Sequence, residues 1–392
     1  MTRFCLSQVA DIDSGVGFPL QYQGTQNAQF PFLKVSDMNL HGNERSICTW
    51  NHSITDEVRI QLRAKAFPAG ALIFPKVGGA IGTNKKRQLT RPSCVDNNVM
   101  AVSPKQNKLD ADFLYFLFQT KNLSEFASAS NPPSIRKSDV EAWSFDLPPL
   151  PEQRRLIDIL SRAEGIVRLR REAERKAAEL IPALFIDLFG DPATNPKGWP
   201  SRPVADFVDR FEGGKNLQAG SGNRSGYRIL KVSAVTSGIY RETESKPAPD
   251  DYHPPESHIV RSGDMLFSRA NTQELVGATV VVEKTDGTSL LPDKLWRFVW
   301  SEPVDQAYMH ALFQSRHVRT ELGKLSSGTS ASMRNISQGK LFAFSLPVAP
   351  IDLQRSFGEQ VAAIRAIQSQ QAAATAKAQA SFDALLAEAF GG

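Results

Sequence analysis

The sequence predicts an α+β protein: two globular α/β domains in tandem, separated and followed by long helices that pack as an antiparallel pair. Two observations predict this class. A long helical stretch lies in the middle of the chain, and a second copy of that stretch lies at its end. The regions before the two helices contain short β-like segments between glycine and proline turns, and these segments recur in the same order.

The first long helix is predicted over Leu147 to Gly190. Its apolar and alanine positions recur at steps of three or four, the spacing of one helix face. They are Leu156, Ile159, Ala163, Ile166, Leu169, Ala173, Ala177, Leu180, Leu184 and Leu188. A continuous helix would be about 55 Å long at ~1.5 Å per residue. Pro182 leaves open a kink or a separate final helix.

The second long helix repeats the first after a shift of 201 positions, which places Gln153 on Gln354 and Gly190 on Gly391 without a gap. The second copy is poorer in charge and richer in alanine and glutamine than the first. Antiparallel packing of the two would give the molecule a pseudo-twofold axis.

The regions before the helices also correspond to each other. Phe32–Ser36 (FLKVS) resembles Ile229–Ser233 (ILKVS), and Ser134–Arg136 resembles Ser332–Arg334. The loops between such matches differ in length and sequence, as expected for a common scaffold with two binding surfaces. The predicted divisions are residues 1–150 for the first domain, 151–190 for the first helix, 191–350 for the second domain and 351–392 for the second helix.

Within the domains, alternating apolar residues and turn signals predict individual elements. The predicted strands of the first domain are Phe30–Val35, Val58–Leu62, Ala71–Pro75 and Val99–Val102. One helix is predicted in each domain, over Ala111–Ala127 and Gln306–Gly323.

The composition is that of a globular protein, with 41% apolar and 22% charged residues among 392. No apolar run approaches the ~20 residues that span a bilayer, and the N-terminus lacks the apolar core of a signal peptide. Cys5, Cys48 and Cys94 are isolated, which favours a reduced, cytoplasmic location. The net charge of +5 is compatible with nucleic acid without requiring it.

Motifs for catalysis are absent or incomplete. Asn131–Pro133 resembles the NPP signature of amino-methyltransferases, but Ser134 replaces the aromatic residue and no cofactor loop follows a strand. Gly78–Lys85 is glycine-rich without P-loop spacing, and Pro292–Lys294 lacks the second acid of a metal-dependent nuclease. The six histidines have no metal-ligand spacing. We therefore expect no catalytic residue, cofactor or metal in this chain.

Basic and amide residues follow corresponding segments of the two domains, where we expect contacts with DNA. Lysine and arginine neutralise phosphates, and Arg, Asn and Gln read guanine or adenine edges. The set is Lys76, Lys85, Lys86, Arg87, Arg91, Arg136 and Lys137 in the first domain, and Arg269, Asn271, Gln273, Lys294, Arg297, Arg334 and Asn335 in the second. A solvated surface loop is the alternative for each residue alone.

Three stretches carry a resemblance to a known family, and together they extend it over nearly the whole chain. LPPLPEQRRLIDIL, LIPALFIDLFGDPATNPKGWP and GVGFPLQYQG with FPFLKVSDMN resemble the specificity subunit of type I restriction–modification systems. The VAPIDLQRSFGEQ segment at the second helix departs from the usual PEQ pattern.

The resemblance implies a non-catalytic DNA-reading subunit with two target recognition domains. Each domain would read one half of a bipartite, asymmetric site, and the helices would set the gap and dock two methyltransferase subunits. Restriction subunits would join them, and these partners would bring S-adenosylmethionine, ATP and Mg²⁺. The alternatives are a subunit of a methylation-only or related defence system, a helical scaffold without DNA specificity, and a fused enzyme.

Overall fold

The computed structural model describes residues 2–220, 225–330 and 333–391, and only the backbone of 329 and 330. Ser332, one end of a predicted repeat match, lies outside the described residues. The chain divides into two compact units. The first comprises Met1–Arg171 and Ala373–Gly392, and the second comprises Glu172–Ala372. Each unit therefore contains one globular domain and parts of both long helices.

The strands of the first unit are β1 (Thr2–Cys5), β2 (Ala10–Ser14), β3 (Phe30–Leu33), β4 (Ser46–Ile47), β5 (Ser53–Ile54), β6 (Leu72–Pro75), β7 (Arg87–Leu89), β8 (Cys94–Val95), β9 (Val99–Pro104) and β10 (Ser144–Leu147). Its helices are α1 (Leu6–Val9), α2 (Asp56–Gln61), α3 (Ala111–Gln119), α4 (Lys137–Glu141) and the start of α5 (Leu150–Ala178). The main sheet has the order β2-β9-β6-β7-β4, and smaller sheets have the orders β5-β3-β8 and β1-β10.

The second unit contains the end of α5, then α6 (Leu180–Phe189), α7 (Gln306–Gln314), α8 (Arg316–Leu325), α9 (Gln338–Phe342) and the start of α10 (Ile351–Phe390). Its strands are β11 (Ser201–Pro203), β12 (Val208–Gly213), β13 (Arg228–Leu230), β14 (Ser245–Pro247), β15 (Met265–Ser268), β16 (Ala270–Asn271), β17 (Thr279–Val281), β18 (Ser289–Leu290), β19 (Leu295–Trp300), β20 (Ser327–Ser330), β21 (Met333–Asn335) and β22 (Ser345–Pro347). The main sheet has the order β12-β19-β15-β17.

The two units share their strand pairing. The trio β2-β9-β6 corresponds to β12-β19-β15, and all four pairings are antiparallel. The parallel pair β3-β8 corresponds to β13-β18, and the closing pair β1-β10 corresponds to β11-β22. The repeat read from the sequence therefore extends to the strand order and strand direction of the sheets.

Each unit buries its own apolar core against the long helices. In the first unit, Phe116 of α3 lies 6.3 Å from Phe382 of α10, ring centre to ring centre, and Leu160 of α5 joins the same cluster. In the second unit, Phe357 of α10 packs edge-on against Phe185 and Phe189 of α6. The helices are thus built into the domain cores, and their burial stabilises both.

Several predicted elements differ in the structure. Val58–Leu62 is not a strand, because Thr55 accepts the amide of Val58 and caps helix α2. The predicted helix Ala111–Ala127 ends at Gln119, and Leu123–Phe126 forms a separate 3₁₀ turn. Ser315, with an extended ψ of 143°, divides the predicted helix Gln306–Gly323 into α7 and α8.

The first long helix is also divided, between α5 and α6, just before Pro182. Proline has no amide hydrogen to donate to the preceding turn, so it favours a new start. The predicted apolar stripe does not form one buried face: Ile166 and Leu169 are 51% and 58% exposed. Of the predicted positions in α5, Ala177 is buried, and the other buried residues of this helix are Leu160, Val167 and the polar Gln153.

Candidate nucleic-acid interface

The same backbone junction follows the strands β6 and β15, and it positions a basic residue in each domain. In the first domain, the amide of Lys76 donates to Asn98 and its carbonyl accepts the amide of Ile135. In the second, the amide of Arg269 donates to Lys294 and its carbonyl accepts the amide of Ile336. Lys76 and Arg269 are therefore structurally equivalent, as their shift of 193 positions predicts.

In the second domain this junction gathers most of the predicted residues. Strands β16 and β21 pair antiparallel, with Asn271 opposite Arg334 and Ala270 opposite Asn335. The Arg269 guanidinium carbon lies 5.2 Å from the centre of the Trp296 ring, a stacking contact that restricts its rotamers. Gln273 is exposed two residues beyond β16.

Arg334 is held in place by its own strand neighbours. Its guanidinium donates to the hydroxyl of Ser326 at 3.2 Å and to the backbone oxygen of Ser326 at 2.9 Å. Because Arg269 and Arg334 are anchored in this way, their orientation costs little entropy on binding.

In the first domain the corresponding junction brings Lys76 and Arg136 together. Ser134 forms a bridge with Val77, so Arg136 is brought to the side of Lys76. The Nζ of Lys76 donates to the hydroxyl of Ser14 at 2.9 Å. Arg136 is exposed. The junction thus has the same backbone in both domains but different side chains.

A carboxylate next to this junction orders two lysines. Asp13 of β2 accepts Lys65 at 2.5 Å and Lys137 at 3.1 Å. Burial acts to raise the pKa of Asp13, but the two lysines outweigh it and hold the pKa below its usual value. Lys65, which follows the segment Val58–Leu62 that was misread as a strand, was not among the predicted contacts.

Two predicted contacts are corrected by the structure. Lys86 is 1% exposed and donates to Asn84 and to the carbonyl of Lys121; burial lowers its pKa to about 8. Arg297 is 8% exposed and is paired with Glu212 at 2.5 Å and Asp264 at 2.9 Å. Neither side chain is available to a phosphate, because each already has buried partners.

The other basic residues of the first-domain loops have partial constraints. Arg87 donates to the carbonyls of Lys86 and Met38, and burial lowers its pKa. Lys85 donates to Asn39. The exposed Arg91 lies 5.6 Å from the ring centre of Trp50. These residues lie in or next to β7, which pairs with β6 on one side and with β4 on the other.

Sequence reasoning missed a lysine-rich cleft of about 240 Å³ in the second domain. Lys215, Lys231, Lys246 and Lys294 line it, and Lys246 donates to the carbonyl of Leu217 at 2.7 Å. The parallel bridge between Lys215 and Pro292 brings its walls together. Of these four lysines, Lys294 was among the predicted contacts, and Lys231 belongs to the repeated LKVS tetrad.

Clusters of metal-binding side chains, membrane-spanning helices and disulfides are all absent from the described residues. Over residues 2–220, 225–330 and 333–391, no three His, Cys, Asp or Glu side chains are grouped to hold a metal ion. In the same ranges, no helix is both long and apolar enough to cross a membrane. Cys5 and Cys48 are exposed and Cys94 is buried, and all three are free thiols.

Comparison with known proteins agrees with this geometry. The profile of the type I restriction modification DNA specificity domain matches residues 1–178. The type I restriction enzyme EcoEI specificity subunit of Escherichia coli is 28% identical over 50% of this chain and 34% of its own length. The MjaVIII specificity subunit of Methanocaldococcus jannaschii is 24% identical over 70% of this chain and 68% of its own length.

The fold is also found in a solved structure. The crystal structure of the type I restriction-modification S subunit from M. genitalium aligns with a TM-score of 0.55 at 10% identity, covering 99% of this chain and 96% of that one. At this identity the likeness concerns the fold. Residues 1–178 are therefore similar to the type I restriction modification DNA specificity domain, and the chain as a whole resembles the specificity subunits of these systems.

Proposed function

We propose that this chain is the non-catalytic DNA-recognition subunit of a type I restriction–modification complex, in which each globular domain reads one half of a bipartite, asymmetric site. One observation carries the proposal. The junction after β6 and β15 has the same hydrogen bonds in both domains, yet it presents Lys76 in one and Arg269 in the other. A common scaffold with unlike side chains is what two different half-sites require.

The side chains at the two junctions suit different parts of a DNA contact. Lys76, Arg136 and the lysines of the second-domain cleft carry charge that neutralises phosphates. Arg269, Asn271 and Asn335 carry the donors and acceptors that recognise guanine and adenine edges in the major groove. The second domain therefore has more groups for direct base reading than the first.

The long helices are proposed to form an antiparallel pair that sets the gap between the half-sites. Within the second unit, Gln368 donates to the carbonyl of Ala177 at 2.7 Å, and Phe357 packs against Phe189 further along α6. The sequence numbers run in opposite directions across these two contacts, which supports antiparallel packing there. Within the first unit, Arg171 donates to Gln379 at 2.9 Å.

Partner subunits are proposed to dock on apolar surfaces of the helices. Ile159, Ile166 and Leu169 are exposed on α5, and exposed apolar stripes of this kind mark interaction sites. In the second unit, a groove of about 1060 Å³ is lined by Ile181, Phe185 and other residues of α6, α7, α8 and α10. We assign these surfaces to two methyltransferase subunits and, through them, restriction subunits, which bring S-adenosylmethionine, ATP and Mg²⁺.

Methylation mapping tests the proposal directly. Host DNA is sequenced for modified adenine with and without this chain, in the presence of the methyltransferase subunit. The proposal predicts a bipartite motif that is lost with the chain, whereas a helical scaffold without DNA specificity leaves the motifs unchanged. Saturable binding of S-adenosylmethionine to the isolated chain would instead indicate a fused enzyme. Modification without ATP-dependent cleavage would identify a methylation-only system.

A further inference from the structure

Glu164 of α5 and Arg365 of α10 lie at the same position of the internal repeat, since they are separated by the same 201 positions as Gln153 and Gln354. Their charges are opposite. Each forms an ion pair with the globular domain of its own unit: Glu164 with Arg45, and Arg365 with Glu283. A single position of the helix repeat thus contacts both domains, with reversed polarity.

The pair in the first unit is part of a compact network. The Arg45 guanidinium donates to Glu164 and to Asp112, each at 2.6 Å, and it lies 4.7 Å from the centre of the Tyr115 ring. The hydroxyl of Tyr115 donates to the second oxygen of Glu164 at 2.9 Å. Burial opposes the charge of Arg45, but the two carboxylates outweigh it and raise its pKa above the usual value.

The pair in the second unit is simpler and more exposed. Arg365 donates to Glu283 at 2.5 Å, and their side chains are 31% and 61% exposed. Asp305, at the start of α7, is close enough for Arg365 to lower its pKa, although burial is the larger influence and raises it. Arg365 also acts to lower the pKa of His310, where burial is again the larger cause. Arg365 therefore lies near Asp305 and His310 as well as Glu283.

The two domain partners occupy the same edge of equivalent sheets. Arg45 directly precedes β4, and its carbonyl accepts the amide of Gln88 in β7, next to β6. Glu283 follows β17, which pairs with β15. Because β6 and β15 are equivalent strands, both ion pairs connect this sheet edge to the helix at one repeat position.

We propose that the opposite charges of Glu164 and Arg365 hold each globular domain on its own long helix by an ion pair. At each position, the same charge would repel the other domain. Two domains with one scaffold and two helices with one repeat otherwise allow a wrong pairing during folding. In that wrong pairing, Arg45 would meet Arg365 and Glu283 would meet Glu164. Like charges in contact disfavour these alternatives, while the opposite charges favour the native pairing. The inference concerns assembly of the chain and does not rest on DNA reading.

The first test separates charge from shape at residue 164, in the full chain and without DNA. Hydrogen exchange is measured at the amide of Gln88, which donates to Arg45. Glu164→Arg is expected to accelerate this exchange about tenfold at low salt, and Glu164→Gln is expected to have a clearly smaller effect. High salt should reduce the difference because it screens the partly exposed charges. Equal effects of the Arg and Gln variants overturn the proposal.

Two controls keep the test specific. Asp158→Arg reverses an exposed charge of α5 that pairs with Arg162 of the same helix, and it should leave exchange at Gln88 unchanged. The β1-β10 pair reports on the rest of the unit. Equal acceleration of exchange in this strand pair would show general unfolding of the unit and would contradict a local effect of the Glu164–Arg45 ion pair.

The second test uses charge rescue in the second unit. Arg365→Glu is expected to accelerate exchange over residues 279–288, while Arg355→Glu, an exposed position of the same helix, is not. Adding Glu283→Arg to Arg365→Glu should return most of the protection, because the pair is restored with reversed polarity. A double variant no better protected than Arg365→Glu alone overturns the proposal.

Discussion

Gln153 and Gln354 make the same hydrogen bond in the two units. The side-chain oxygen of Gln153 accepts the amide of Asp110 at 2.9 Å, and that of Gln354 accepts the amide of Asp305 at 3.0 Å. Each aspartate caps the first turn of its domain helix. Both glutamines are almost fully buried, at 0% and 3% exposure. Each long helix is thus joined to its domain through one buried amide group.

Replacement of Gln153 by alanine should destabilise the first unit by about 2–4 kcal/mol, because buried groups lose their partners. Its Nε2 donates to the carbonyls of Lys108 and Pro148 at 2.8 and 2.9 Å, and the bond to Pro148 is buried. Urea unfolding of the full chain measures the change. Gln360→Ala, at an exposed site of α10, is the control. Equal losses of unfolding free energy in the two variants would contradict the proposed role of Gln153 in joining the helix to the domain.

Lys86 should make the protein more stable as the pH rises from about 8 to about 10.5. Burial lowers its pKa from 10.5 to about 8, so in this window the unfolded chain binds a proton that the folded chain has released. The cost of burying the charge is fully present below pH about 8 and is relieved above it, by up to about 3 kcal/mol.

The measurement compares unfolding free energies of the native chain and Lys86→Met across this window. The unfolding free energy of the native chain should rise relative to that of Lys86→Met as the pH increases, because the variant has no amine to titrate at this position. Lys85→Met, a less buried neighbour, should show no such trend. A difference that stays constant with pH would mean that Lys86 is not held as the structure places it.

The salt dependence of DNA binding tests whether Lys294 and Arg136 contact DNA phosphates. In the assembled complex, Lys294→Ala and Arg136→Ala should each reduce the slope of log affinity against log salt by about 1. Lys197→Ala, in the connector after Gly190, is the matched control. Unchanged slopes for both the Lys294 and the Arg136 variants would show that the junctions do not contact DNA phosphates.

An insertion into α5 tests the proposed role of the helices. Four extra residues near Arg170, about one turn of helix, should lengthen the unspecific gap of the methylated motif and leave both half-sites unchanged. Mapping of methylated sites in cells that express the variant gives the answer. A gap of the original length would count against the helices as spacers.

The sequence predicted what depends on repetition and missed what depends on tertiary packing. The shift that aligns Gln153 with Gln354 was visible as a pattern, and the strand equivalence of Lys76 and Arg269 followed from a second shift. Val58–Leu62 was misread as a strand because its β-branched residues favour strands. The side chain of Thr55 instead caps and stabilises a helix at this place.

The burial of charged residues was not accessible from the sequence. Arg297 is in the interior because Glu212 and Asp264, distant in sequence, meet around it. Lys86 turns inward although its neighbours Lys85 and Arg87 reach other partners. The lysine cleft forms from four separate segments. Each of these depends on long-range strand pairing, which spacing along the chain does not report.

Exchange of one domain tests the central claim most directly. Residues 1–146 are replaced by the corresponding domain of another specificity subunit, and the methylated motif is mapped in cells that supply the methyltransferase subunit. If each domain reads its own half-site, one half-site of the motif changes while the other half-site and the gap are retained. A motif altered in both halves would contradict two independent reading domains.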